Sequence, residues 1–475
     1  MELTAIVKRD CETCQMVVSV LSELSEKCQL IVYSQDDPTF PEALGSVRDD
    51  TALEESYRQG IEAVPTLIRH DDGVEVGRAI GWNQAEWQEL TALADLGASL
   101  PPSRPGCGSR TLDPGMPERL ALRYGGLTLN AREIEVPPDV DPIEVAYDCG
   151  WSDGLPVVPP TDLRVAQMLS GTTRRPDEII GVIPPNLIDC TVEKVAINAV
   201  MAGCRPEYFP VVLAAVEGAL KPEFSMHGLL ATLWFSGPVL IVNGPVTRRI
   251  GMNAAGNALG QGNRANSTIG RALQLVVRNV GGGIPGEIDR SVLGNPGKVG
   301  FCFSEDETDA DWTGLNIARG AVPGSSTVTL FHGDGVHGIN AGLATNPESL
   351  TNALAMGLFS VTHPKSCEWG NAILVLCPDH YAIYKNAGLG RRTEIESMLW
   401  EALKRPGREL IRGAQGTEEG IDPERVEEMI NKFHVGGLLV VRAGGKGGGM
   451  SGVIGGWTAH RNPEQVQIVS QEIKL

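Results

Sequence analysis

A chain of 475 residues is too long for one ordinary domain and points to two or three. Its 42% hydrophobic content allows a large core, and 57 glycines with 31 prolines indicate many loops and tight turns. A net charge of −19 argues against nucleic acid and anionic membrane as partners, because a phosphate-rich surface needs a basic footprint.

The start, MELTAIVKRDC, has too short an apolar run for a signal peptide, and no run of about eighteen apolar residues offers a membrane span. Ten scattered cysteines are unlike a secreted disulfide scaffold. A cytoplasmic, reducing setting in which one pair does redox work is expected.

Leu3 to Val7 reads as a buried strand. After it, Cys11-Glu12-Thr13-Cys14 opens a helix whose Val17, Val20, Leu21 and Leu24 form one apolar stripe. A C-x-x-C at such a turn puts the first sulfur where free N–H groups favour a thiolate, and the second sulfur can close a disulfide with it. The motif also serves as half of a zinc site, but no second half follows at ordinary spacing nearby. Cys28 to Ser34 reads as a second strand, followed by a polar helical stretch through Asp50 to Gly60. Val64-Pro65-Thr66 opens a third strand, Asp71-Asp72-Gly73 makes a turn, and Val74 to Ile80 returns. A helix from Asn83 to Leu96, capped by Asn83, closes the pattern.

Over residues 1 to about 96 this order resembles the thioredoxin superfamily, the thioredoxin-like and glutaredoxin-like domains. The matching features are the C-x-x-C after strand one and Val64-Pro65-Thr66 at the third strand. The resemblance implies a cis Pro65 against the disulfide, Cys11 as the exposed attacking thiol and Cys14 as the buried resolving thiol. Two positions depart from the family. Asp10 replaces the usual tryptophan, and Glu-Thr replaces Gly-Pro between the cysteines. Negative charge from Asp10 and Glu12 disfavours the thiolate and points to a reducing or poised couple.

Residues 99–117 read as a Pro/Gly-rich linker carrying Cys107, a mobile thiol able to relay between the domain at 1–98 and a large α/β or α+β domain at 118–475. Strands are expected at Pro238 to Val242, Thr327 to Phe331, Ala372 to Cys377 and Gly437 to Val441. Helices are expected at Val192 to Ala202, Pro206 to Ala219, Ser267 to Val280, Pro347 to Met356, Thr393 to Lys404 and Pro423 to Phe433.

Four stretches of this domain are site candidates. Asp148 to Gly154 combines Cys149, the expected active-site thiol, with Trp151 and Asp153. The loop from Asn253 to Ser267 offers Asn257, Arg264 and Asn266 to a carboxylate or phosphate. His332 and His337 follow a good strand, as a proton relay or metal pair would. The run around Lys446 and Gly448 suits a backbone anion nest or a covering loop. His363, Cys367, Cys377 and His380 have ligand types that zinc accepts, but an intervening strand separates the pairs, so no metal is expected there.

The expected activity is a thiol–disulfide-linked oxidoreductase whose thioredoxin-like head serves cysteine chemistry on a small anionic substrate, renewed by a cellular thiol reductant. Sulfur transfer or carbon–sulfur bond chemistry, and thiol-based metal binding, stay open. No cofactor beyond a redox-active disulfide is expected, and a homo-oligomer is expected on general grounds.

Overall fold

The computed structural model describes residues 2–368, 370–457 and 468–475. The chain is a mixed α/β protein that divides into two compact units, one reaching Thr128 and the other starting at Leu129. No helix among the described residues is long and apolar enough to cross a membrane.

In the first unit the elements run β1 (Glu2–Val7), α1 (Glu12–Met16), α2 (Val18–Lys27), β2 (Gln29–Ser34), β3 (Arg48–Asp49) and α3 (Glu54–Arg58). They continue with β4 (Ala63–Val64), β5 (Thr66–Asp71), β6 (Val74–Ile80), β7 (Trp82–Asn83), α4 (Gln84–Thr91), β8 (Ser103–Arg104), β9 (Cys107–Gly108) and α5 (Met116–Tyr124). Five strands form one sheet in the order β3-β2-β1-β5-β6. The central β1 is parallel to β2 and antiparallel to β5. Its Leu3, Ala5, Ile6 and Val7 are fully buried, and the α2 stripe of Val20, Leu21 and Leu24 joins the same core. Asp72 and Gly73 take left-handed backbone at the tight β5–β6 turn, and the Asn83 side chain accepts from the Glu86 N–H to cap α4.

The stretch expected as a linker is part of this unit. Its β8 pairs with β7, its β9 pairs with β4, and Trp82 Nε1 donates to the Pro101 carbonyl. Cys107 therefore sits in a short strand, not on a free connector. Proline and glycine here keep the segment free of regular long elements while allowing it to lie close against its neighbours.

In the second unit a mixed sheet runs in the order Phe301–Ser304, Gly237–Asn243, Thr327–Asn340, Met450–Gly456, Gly370–Leu376, Phe433–Arg442, with Val469–Glu472 pairing beside Thr327–Asn340. Every residue of the strands Gly237–Asn243 and Gly370–Leu376 is buried, in keeping with their apolar runs Pro238–Val242 and Ala372–Leu376. Helices Val192–Ala202, Phe209–Leu220 and Arg264–Asn279 pack on one another, while Pro347–Phe359 packs with Arg392–Ala402 around Leu350, Leu354, Ile395 and Leu399.

Three expectations need correction here. The helix expected over Pro423 to Phe433 is a single 3₁₀ turn, Pro423–Arg425, followed by strand Met429–Asn431 and the start of strand Phe433–Arg442. Pairing of Met429–Asn431 with Lys404–Pro406 outweighs a local periodicity that also fits a helix. His332 to His337 is not a loop beyond a strand end: strand Thr327–Asn340 runs through it, with an irregularity between Gly333 and Val336. Asp148 ends a helix, Pro142–Asp148, which Asp141 caps and Pro142 opens.

Candidate active site

The site in the first unit is built where β1 hands over to α1. The Asp36 carboxylate accepts from the backbone N–H groups of Arg9 and Asp10, fixing the turn that delivers Cys11. Cys11 has extended backbone and caps α1, its sulfur accepting from the Cys14 N–H at 3.3 Å. The Cys11 thiol also reaches the Val64 carbonyl at 3.5 Å, and the Val64–Pro65 peptide is cis.

Three thiols meet at this point. Cys14 lies one turn along from Cys11, and Cys107 lies opposite Val64, whose carbonyl the Cys11 thiol reaches. Cys11 is consequently pulled down from the ordinary 9.0 to about 5, first by the Cys14 side chain, against burial, and then by Cys107. Burial, and next the Cys11 sulfur, push Cys14 far up. Burial, then Cys11, raise Cys107 as well.

This depression runs against the effect expected of Asp10 and Glu12. Asp10 is exposed and its N–H is turned to Asp36, while the Glu12 carboxylate pairs with the Arg104 guanidinium. Contact with two thiols and a backbone N–H outweighs two solvated carboxylates. A second difference concerns access. Cys11, expected as the exposed thiol, is only 3% exposed and Cys14 is 0% exposed, whereas Cys107 is half-buried.

The segment that covers Cys11 is held by several polar contacts. Thr13 Oγ1 donates to the Pro105 carbonyl at 2.7 Å, and Lys8 Nζ donates to the Gly108 carbonyl at 2.9 Å. In antiparallel register Val64 faces Cys107 and Ala63 faces Gly108. Gly106 has to be glycine for this approach, since a Cβ there would lie 2.8 Å from the Val64 carbonyl oxygen. Neither the Thr13 bond nor the β4–β9 pairing has a local signal in the sequence.

In the second unit two of the expected site stretches meet: the Gly444 N–H donates to the Ala254 carbonyl, and Gly445 lies against Gly256. Cys149 is exposed at the end of its helix. Asp153 and Arg271 form a half-buried two-point ion pair, both contacts at 2.8 Å, and Arg271 also donates to the carbonyls of Leu155 and Pro156. Although burial opposes it, contact with Arg271 leaves Asp153 below its ordinary value. Arg264 Nε donates to the Gly203 carbonyl, and Asn266, buried, braces the loop through Asn253 and Ala258. Asn257 lies exposed with left-handed backbone and donates to the Gln261 carbonyl. The helix there begins at Arg264 behind an Asn263 cap, three residues earlier than expected. Asp153, Arg271 and Asn266 are thus engaged within the fold, while Arg264 and Asn257 lie exposed.

His332 is buried against the Phe224 carbonyl at 2.6 Å, and burial lowers it to about 4. His337 is exposed near Ser360, so the two histidines do not act as a pair. Between them Asp334 is raised by burial and accepts from Trp234 Nε1 and Ser236 Oγ. The glycine run does form a nest, but the chain fills it: the N–H groups of Gly447, Gly448 and Gly449 converge on Asp379 Oδ2 at 2.8, 3.1 and 3.4 Å. Lys446 lies exposed in the same loop.

His363 and Cys367 precede strand Gly370–Leu376, and Cys377 and His380 follow it. Among the described residues no group of three metal-binding side chains is present. Cys377 instead caps helix Pro378–Asn386 beside His380, whose Nδ1 lies 2.7 Å from Ser451 Oγ. A cavity of about 1260 Å³ in this unit is lined by Trp151, Lys194, Asn198 and Asn279 among mostly apolar neighbours. Cys149 and Asp153 do not line it. In comparison with known proteins, no family model matches this chain, and no curated protein matches it.

Proposed function

We propose that the first unit is a thioredoxin-like thiol–disulfide oxidoreductase domain with Cys11 as its nucleophile and Cys14 as its resolving thiol. The observation that carries this reading is the asymmetry of the pair: Cys11 caps the helix, accepts from the Cys14 N–H and is pulled down to about 5, while Cys14, one turn along, is fully buried and pushed up. The parallel β1–β2 and antiparallel β1–β5–β6 order, with cis Pro65 beside Cys11, supports the family resemblance.

The Cys11 thiolate attacks one sulfur of a substrate disulfide, forming a mixed disulfide and releasing the other sulfur as a thiolate. Cys14 then attacks the Cys11 sulfur, its proton passing to the second departing thiolate. The substrate gains two electrons, and the Cys11–Cys14 disulfide is the oxidised product. A cellular dithiol or low-molecular-weight thiol resets it.

The test is disulfide reduction by the full chain with a thiol reductant, compared with Cys11→Ser and Cys14→Ser. Cys11→Ser is expected to abolish turnover, and Cys14→Ser to lose it because the Cys11–Cys14 disulfide cannot close. Full activity in Cys11→Ser would sink the proposal.

A further inference from the structure

Cys11 has two thiol neighbours, but a two-cysteine cycle needs only one. The second neighbour arrives through β9, which adds an antiparallel strand to the edge formed by β4 just before Pro65. Strand addition of this kind is how a sheet edge holds an extended peptide. Here the chain supplies the peptide itself, and the residue opposite Val64 is a cysteine.

The fit is close along its whole length. Gly81, with φ +72°, lets the segment pass, because a Cβ there would lie 2.7 Å from the Gly106 nitrogen. Thr13 holds the Pro105 carbonyl, Lys8 holds the Gly108 carbonyl, and Arg104 pairs with Glu12 between the two motif cysteines. With this segment in place Cys11 is 3% exposed and Cys14 0%, so little of either residue is presented to an outside thiol. Cys107 is the half-buried member of the trio.

We infer that residues 103–108 are a tethered peptide in the substrate position and that Cys107 is a third catalytic thiol, which carries the disulfide between Cys11 and thiols in solution. This rests on the assignment of Cys11–Cys14 as a redox couple. In the oxidised protein the Cys107 thiolate attacks Cys11 Sγ; the Cys11–Cys107 bond forms, the Cys11–Cys14 bond breaks, and Cys14 leaves as a thiolate that takes up the proton Cys107 lost. No electrons are gained or lost in that exchange. An outside thiol then attacks Cys107 Sγ and releases the Cys11 thiolate, and a second thiol resolves the mixed disulfide on Cys107. Two thiols are thereby oxidised to one disulfide as the protein disulfide is reduced to thiols. Substrate reduction follows the same steps in reverse.

The experiment uses the full chain and glutathione as the probe, with acid quench, alkylation and tryptic mass mapping. Cys11 and Cys14 share one tryptic peptide, with no lysine or arginine between them, whereas Cys107 lies on another. A Cys11–Cys107 bond therefore joins two peptides. Cys14→Ser treated with oxidised glutathione should yield that joined pair; glutathione remaining on Cys11 with Cys107 free to alkylate would overturn the inference. Cys107→Ser should still form the Cys11–Cys14 disulfide, but its reduction by glutathione should slow by about tenfold or more, since a serine cannot exchange. An unchanged rate in Cys107→Ser overturns the role of Cys107 and leaves the two-cysteine reading intact. Failure of the wild type to form any Cys11–Cys14 disulfide would remove that reading as well.

Discussion

The depressed Cys11 thiol makes the most direct demand on experiment. A fall from 9.0 to about 5 corresponds to about 5 kcal/mol of preference for the thiolate over the thiol. At pH 7 such a group is about 99% ionised, against about 1% for a thiol at its ordinary value. Because Cys14 is the leading cause, with Cys107 acting more weakly, the two substitutions are expected to differ in effect. Thiolate ultraviolet absorbance of the fully reduced chain should show one ionisation centred near pH 5, absent in Cys11→Ser. In Cys14→Ala the midpoint should move up toward 9, and in Cys107→Ala it should move less. Stability gives an independent reading. A folded-state value below the unfolded one favours folding fully above about pH 9, and this contribution is lost as pH falls toward 5. Reduced wild type should therefore lose more stability than Cys11→Ser on going from pH 8 to pH 5, by up to about 1.4 kcal/mol per pH unit. An ionisation near pH 5 that survives Cys14→Ala unmoved would refute the hydrogen-bond account.

Two further outcomes test the second unit. Arg271→Ala strands the Asp153 carboxylate, whose side chain is 12% exposed, and should cost about 3 kcal/mol in urea denaturation; a loss below about 1 kcal/mol would show that water replaces the guanidinium. His332, lowered by burial to about 4, binds its proton more readily when unfolded, so it withdraws up to about 3 kcal/mol of stability as pH falls from 6.5 to 4. His332→Asn should flatten that part of the pH–stability curve, and an unaltered curve would place the titration elsewhere.

Local chemistry made much of the first unit legible. Strand β1, the Asp72-Gly73 turn and the Asn83 cap each follow from neighbours within a few residues, and each lies where the sequence puts it. The same holds for helix Val192–Ala202 and for the apolar run Ala372–Leu376 of strand Gly370–Leu376. Failures came where distant partners decide. Strand Met429–Asn431 exists because Lys404–Pro406 pairs with it, and Lys432 beside it is buried by donating to the carbonyls of Val361, His363 and Ser366. Site candidates of the second unit were read from sequence without their partners. Asp153 belongs to Arg271, and the glycine nest belongs to Asp379.

Cys107 shows the same limit in the opposite sense. Proline, glycine and serine around it describe a segment with little intrinsic preference, which locally reads as a linker. Low preference also means that ordering the segment against a ready-made edge meets little conformational competition, provided glycine stands where the backbones touch. Gly81 and Gly106 stand there, and Thr13, inside the C-x-x-C itself, supplies a hydroxyl to the Pro105 carbonyl. The Glu12-Thr13 dipeptide is thus used on both sides, Glu12 for Arg104 and Thr13 for Pro105. Between them they draw a third thiol onto the first, and the pair that opened as a local motif becomes a site spanning 97 positions of chain, from Cys11 to Cys107.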